Sequence, residues 1–194
     1  MQTSTTQALE KTGCEPEIRP TLNVVIAYED FATGKHAKET YDYLIHQLGH
    51  DFEFYNQMWK FDVLGIPKMR EMAVKDAAAS DLIIVSTHGI GELPAAVRLW
   101  IDEWVENKGH ARALITLVDR PKDLLNEDPA IRSYLQEAAR RAKVDFFAQP
   151  DDWPDREEDF TVEQISERAQ KTSVIVADFI HHNANATARW GIND

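Results

Sequence analysis

The sequence predicts an α/β protein: three layers, with a five-stranded parallel sheet between helices, in strand order 2-1-3-4-5. Three observations carry that prediction. Five short apolar runs suited to strands alternate with stripes of apolar residues at helical spacing. The third run, Asp81-Leu82-Ile83-Ile84-Val85-Ser86, has four consecutive large aliphatics and no polar alternation, as in a strand covered on both faces. No glycine fingerprint follows the first run, which favours this winding over a dinucleotide-binding sheet.

Each element has a local reason. Residues 1–20 are polar and unpatterned up to Pro20, and read as a flexible arm before a single domain spanning 21–194. Leu22-Asn23-Val24-Val25-Ile26-Ala27 suits a buried strand. After the loop Tyr28–Gly34, a helix carries Ala37, Tyr41, Leu44, Ile45 and Leu48, with Gly49 expected as its left-handed cap. Phe52–Trp59 is the second strand, its alternation that of a strand near the sheet edge. Pro67 opens a helix with Met69, Met72, Ala73 and Ala77 on one face. Pro94 starts another, turning Val97, Trp100, Ile101 and Trp104 inward and ending at Gly109. Ala113–Val118 is the fourth strand. Asp128-Pro129 then caps a helix with the stripe Ile131, Tyr134, Leu135, Ala138 and Ala142, and Val144–Ala148 is the fifth strand. An acidic segment, Pro150–Asp159, leads to a capping box at Thr161 and Gln164 and a last helix carrying Ile165, Ala169, Val176 and Ile180.

Composition narrows the function classes. In 194 residues, 33 acidic side chains face 21 basic ones, a formal net charge of -12. Such a surface repels phosphate backbones, so neither nucleic acid nor an anionic membrane is an expected partner. Cys14 is the sole cysteine, which leaves no thiolate cluster for zinc or iron–sulfur and no intrachain disulfide. Met1–Thr6 lacks the basic start and apolar run of a signal peptide, so a cytoplasmic location is the default expectation. His181-His182 with Asp178 is not a metal site by pattern, because adjacent histidines leave a helix on different faces. Trp100 and Trp104, one turn apart, read as core. A strip at a subunit contact, and hence a homodimer, is the alternative.

In a sheet wound this way, ligands bind at the carboxyl ends of the strands, where the winding reverses between strands one and three. The first loop there ends in Thr33-Gly34-Lys35-His36 at a helix entry, where free N–H groups and the dipole favour an anion and the two basic residues add charge. Read structurally instead, Thr33 is a cap, Gly34 a turn, and Lys35 and His36 face water. Glu29 and Asp30 oppose a phosphate unless they point away. In the second loop, Thr87-His88-Gly89-Ile90-Gly91, two glycines let backbone approach a flat ligand, and His88 can stack or donate. A plain turn before a helix is the alternative.

Ser86-Thr87-His88-Gly89-Ile90-Gly91-Glu92-Leu93-Pro94 resembles the second flavin loop of flavodoxins, a Ser-Thr-x-Gly-x-Gly-x-x-Pro string after strand three. Leu99-Trp100-Ile101-Asp102-Glu103-Trp104 is similar to the following helix in flavodoxins and related NAD(P)H-dependent FMN reductases. Thr33-Gly34-Lys35-His36 resembles their Thr-Gly-x-Thr phosphate loop, with His36 in place of the second threonine. The resemblance spans about Leu22 to Trp104 and implies a flavodoxin-like fold and flavin mononucleotide (FMN) as cofactor of an oxidoreductase. Thr33, Gly34, Lys35 and His36 would then hold the phosphate, and Thr87, His88, Gly89 and Gly91 the ring. Flavodoxins follow strand four with a glycine-rich, aromatic-bearing loop, whereas Val118–Leu125 here carries neither glycine nor aromatic. The competing expectation is a flavin-free binding or regulatory module of the same fold.

Other chemistries lack their residues. A phosphoacceptor receiver domain needs an aspartate ending strand three and a lysine ending strand five, where this chain has Ser86-Thr87 and Gln149. Neither a nucleotide P-loop nor a Gly-x-Ser-x-Gly elbow is present.

Overall fold

The computed structural model describes residues 19–107, 109–118, 130–148 and 162–188. The arm through residue 18, the loop at 119–129 with its Asp128-Pro129 cap, the acidic segment and Thr161 lie outside the described residues.

Among the described residues the elements follow in the order β1 (Thr21–Tyr28), α1 (Phe31–Leu48), β2 (Glu53–Lys60), α2 (Phe61–Leu64), α3 (Pro67–Ala79), β3 (Leu82–Thr87), α4 (Ala95–Glu106), β4 (Ala113–Val118), α5 (Ala130–Ala142), β5 (Asp145–Ala148) and α6 (Val162–Ala188). The strands form one parallel sheet in the order β2-β1-β3-β4-β5, the flavodoxin-like winding. β3 is buried at all six residues, as its unbroken aliphatic run requires.

The pleat divides the core in two. Val25, Ala27, Ile83, Val85 and Leu114 pack on one side beneath α2, α3, α4 and α5. Leu22, Val24, Ile26, Ile84 and Ile115 pack on the other beneath α1 and α6. Because α1 leaves β1 toward one face and α4 leaves β3 toward the opposite face, their connecting loops part at the carboxyl end. There Tyr28 is still paired with Ser86. That divergence positions the site.

Trp100 and Trp104 are both fully buried among the α4 core residues, which settles them as core and removes them from any subunit contact. Three local readings are corrected, and one short helix is added. Met69 and Met72 are exposed, because α3 packs on the sheet through the small Ala73 and Ala77 and leaves the bulky side chains at the rim. Gly49 closes α1 in the right-handed region, at φ -67, not as a left-handed cap. α4 stops at Glu106 with Asn107 as its cap, short of Gly109. The short helix α2 was too brief for a periodic signal, yet buries Phe61 and Leu64.

Replacing Trp104 by alanine removes a large, fully packed side chain from the core. Urea unfolding should show a loss of about 3–5 kcal/mol with little change in the slope of the transition.

Candidate functional site: the clasp at the carboxyl end of the sheet

The entry to α1 is set by Asp30, whose extended backbone (φ -146, ψ -169) makes it the N-cap. Its Oδ1 accepts from the Thr33 N–H at 3.1 Å, and Thr33 Oγ1 accepts from the Asp30 N–H at 2.9 Å. This is a capping box with threonine in the place usually held by Glu or Gln. Thr33 is therefore the third helical residue, not the cap, and α1 begins at Phe31. Thr33 Oγ1 also accepts from the Glu29 N–H at 3.1 Å, and the Gly34 N–H donates to the Asp30 carbonyl at 2.9 Å. The amides of Thr33 and Gly34 are thus both spent within the turn.

The four residues of this loop go to separate places. Thr33 and His36 are buried, while Lys35 pairs with Glu39 at 4.0 Å on the helix exterior. Gly34 has a steric role. A Cβ there would stand 2.7 Å from the Tyr28 ring, which crosses the first turn.

The second loop is instead drawn to the first by two carboxylates. Thr87 Oγ1 donates to Glu29 Oε2 at 2.6 Å, and the His88 N–H donates to the same oxygen at 2.8 Å. His88 Nε2 lies 2.9 Å from Asp30 Oδ2. Below them, Ser86 Oγ donates to the Thr33 carbonyl at 2.9 Å, and the Glu29 N–H donates to the Ser86 carbonyl at 3.0 Å. Gly89 and Gly91 follow at φ 70 and 71, a left-handed conformation that glycine adopts without strain. The Gly89 N–H donates to Thr87 Oγ1 at 3.3 Å. Thr87, His88 and Gly89 are therefore brought together, but around Glu29. Gly91 stands apart, with nothing within 4 Å of where its Cβ would be.

Partial burial disfavours the Asp30 carboxylate. The hydrogen bonds from His88 and from the Thr33 N–H outweigh that and hold its pKa below the ordinary value. A depressed folded pKa adds stability above the unfolded value, near 4, and that stability disappears as the pH falls through the lowered value.

Sequence reasoning weighed Glu29 and Asp30 as charges that repel phosphate, not as acceptors for the second loop, and so missed them as the hub. The available signal was Asp30 three residues ahead of Thr33 at a helix start. Next to the clasp, a cleft of about 190 Å³ opens between the starts of α4 and α5, lined by Glu92, Leu93, Arg98, Ala130, Ile131 and Tyr134. Burial pushes the Tyr134 hydroxyl up to about 12, and it donates to the Arg98 carbonyl at 3.2 Å. Phe31 and Ile90, one from each clasped loop, are 85% and 62% exposed. Among the described residues, no group of three or more acidic, histidine or cysteine side chains could hold a metal ion. Nor is any described helix long and apolar enough to cross a membrane.

Replacing Asp30 by asparagine keeps a capping side chain and removes the charge facing His88. The stability deficit of this variant should be full above about pH 4 and disappear as the pH falls through the lowered Asp30 value, read by urea midpoints across pH.

No protein-family model matches this sequence, and no curated protein matches it. Among solved structures, it is similar to the two-electron reduced flavodoxin of Megasphaera elsdenii at 12% identity, covering 78% of this chain and 98% of that one, with a TM-score of 0.47. A flavodoxin from the domain Archaea matches at 11% identity over 83% of this chain and 100% of that one, TM-score 0.47. A short-chain flavodoxin associated with a non-canonical PDU bacterial microcompartment matches at 14% identity over 81% and 99%, TM-score 0.48. The fold of this chain as flavodoxin-like rests on its own strand order and winding.

Proposed function

We propose that this chain is a flavin-free binding or regulatory module built on the flavodoxin-like fold. The observation that carries this reading is the Glu29 carboxylate, which takes the hydroxyl of Thr87 at 2.6 Å and the amide of His88 at 2.8 Å. Those donors would otherwise serve a bound ligand. Asp30 likewise takes the Thr33 amide of the α1 entry on its side chain. A phosphate brought to this helix entry meets two carboxylates. One like-charge contact at 4 Å opposes it by about 4 kcal/mol at the effective dielectric of a protein surface. With the clasp closed, Thr33–His36 do not fit a flavin phosphate. The exposed Phe31 and Ile90 beside the clasp suit recognition of another surface better than chemistry on a buried cofactor.

A second reading keeps FMN, or a related phosphorylated or flat aromatic ligand, for redox chemistry at the same cleft. It is favoured by the left-handed Gly89 and Gly91 and the open space at Gly91, which admit a ring against backbone. In that reading Thr87, His88, Gly89 and Gly91 face the ring, the flavin supplies the electron transfer, and Glu29 must first release its donors.

The visible spectrum of the purified protein, taken before and after incubation with FMN, separates the two. We expect no flavin absorbance retained after desalting, and no quenching of FMN fluorescence at micromolar protein. Retained flavin that is lost on replacing Gly34 and Gly89 by bulkier residues would establish the redox reading instead.

A further inference from the structure

Two acidic residues of the β1–α1 loop hold His88, and they hold different parts of it. Its backbone N–H donates to Glu29 Oε2 at 2.8 Å, and its ring Nε2 lies 2.9 Å from Asp30 Oδ2. A backbone amide does not titrate near neutrality. An imidazole does, since its ordinary pKa of about 6.5 places its change of charge between about pH 5 and 8. The ring and the carboxylate come from segments 58 residues apart in the chain. His182, by contrast, pairs with Asp178 inside one helix, and His181 stands at a longer 3.9 Å from Asp51.

Charges around the ring favour its protonated form. Asp30 faces Nε2, and Glu29 lies on the backbone of the same residue. Against partial burial, the hydrogen bond and the charge of His88 help hold the Asp30 pKa below its ordinary value. Such coupling is reciprocal, so the carboxylate favours the imidazolium to the same degree. Among the described residues, the nearby cations are engaged with other acids. Lys60 senses Asp30 and Tyr28 from the end of β2, but its ammonium is bound to Asp62 at 2.6 Å. Lys35 pairs with Glu39 on α1, and Arg98 of α4 with Glu92. The His88 and Asp30 side chains are 29% and 49% exposed, so water delivers the proton without the loop opening.

Gly89 and Gly91 stand on either side of Ile90, at φ 70 and 71, and change their dihedrals with no Cβ to clash. Phe31 follows Asp30, and Ile90 lies two residues past His88. The contact between ring and carboxylate therefore sets how these two exposed apolar side chains are held relative to one another. We propose that His88 and Asp30 form a pH-sensitive latch: the imidazolium keeps the β3–α4 loop closed on the β1–α1 loop, and loss of its proton near neutral pH leaves that loop to the Glu29 bonds, so that it opens more often. A neutral ring still has one N–H to donate, so closure weakens and is not abolished. The latch regulates the surface read above as a recognition site, and rests on that reading for its purpose. Its sign follows from the closed loop favouring the charged ring. Closure is strongest below the open-loop value, about 6.5, and is lost as the pH rises through the higher closed-loop value. Asp30, held below its ordinary 3.8, stays ionised throughout. A difference of about one pH unit between the two values is about a tenfold change in the opening equilibrium.

Nuclear magnetic resonance of the full chain reads both halves. The His88 ring should titrate about one pH unit above the ordinary value, and in Asp30→Asn, which keeps a capping side chain, fall back towards it. Protection of the His88 N–H from exchange, corrected for the intrinsic rate at each pH, should drop about tenfold across the wild-type titration. His88→Gln keeps a side-chain donor that cannot charge. Its protection should be level over the same range, a comparison that stands if Asp30→Asn folds poorly. A ring that titrates at the ordinary value, or at the same value in Asp30→Asn, overturns the latch. So does protection that does not change through the titration, or that steps equally in His88→Gln. Neither readout involves flavin, so a failed latch is told apart from a failed flavin-free reading, which retained FMN would show.

Discussion

The carboxyl end of this sheet is organised around one carboxylate oxygen. Glu29 Oε2 accepts from a side-chain hydroxyl and a backbone amide of the β3–α4 loop, tying it to the β1–α1 loop. Hydrogen bonds to a charged acceptor are stronger than neutral ones. They join two segments that the winding drives apart, since α1 and α4 leave toward opposite faces. The positions of His88 and the glycines beyond it depend on that junction. Beside it, the α1 entry is capped locally by Asp30, which takes the Thr33 amide. Near that junction lie the exposed Phe31 and Ile90 and the small cleft that Tyr134 lines.

Much of the fold was legible because burial writes long, redundant patterns. β3 could be read from its aliphatic run, and α4 from Val97, Trp100, Ile101 and Trp104 at helical spacing, all four of which are buried. The order of alternating elements then limited the topology to few choices. Where the reading failed, the deciding contacts were tertiary. Met69 and Met72 matched a stripe, but two alanines set how closely α3 approaches the sheet. Gly34 looked like a turn residue, and its cause is the Tyr28 ring lying against it.

The site was less legible than the fold, for a physical reason. Thr33-Gly34-Lys35-His36 and Thr87–Gly91 have the composition of ligand loops, but composition does not say whether donors face a ligand or the chain's own acceptors. Asp30 and Thr33 satisfy each other across three residues, a short-range pattern that sequence can show. Glu29 and Thr87 meet across 58 residues, and only the folded sheet reveals that pair.

The most direct test of this account is a double-mutant cycle between Glu29→Ala and Thr87→Val, followed by chemical denaturation near pH 7. If the clasp joins the two loops, the two losses are not additive, and the coupling is about 1.5–3 kcal/mol, the range for a hydrogen bond to a charged group. Additive losses, with coupling near zero, would mean that Glu29 does not hold the second loop, and the closed cleft would no longer follow.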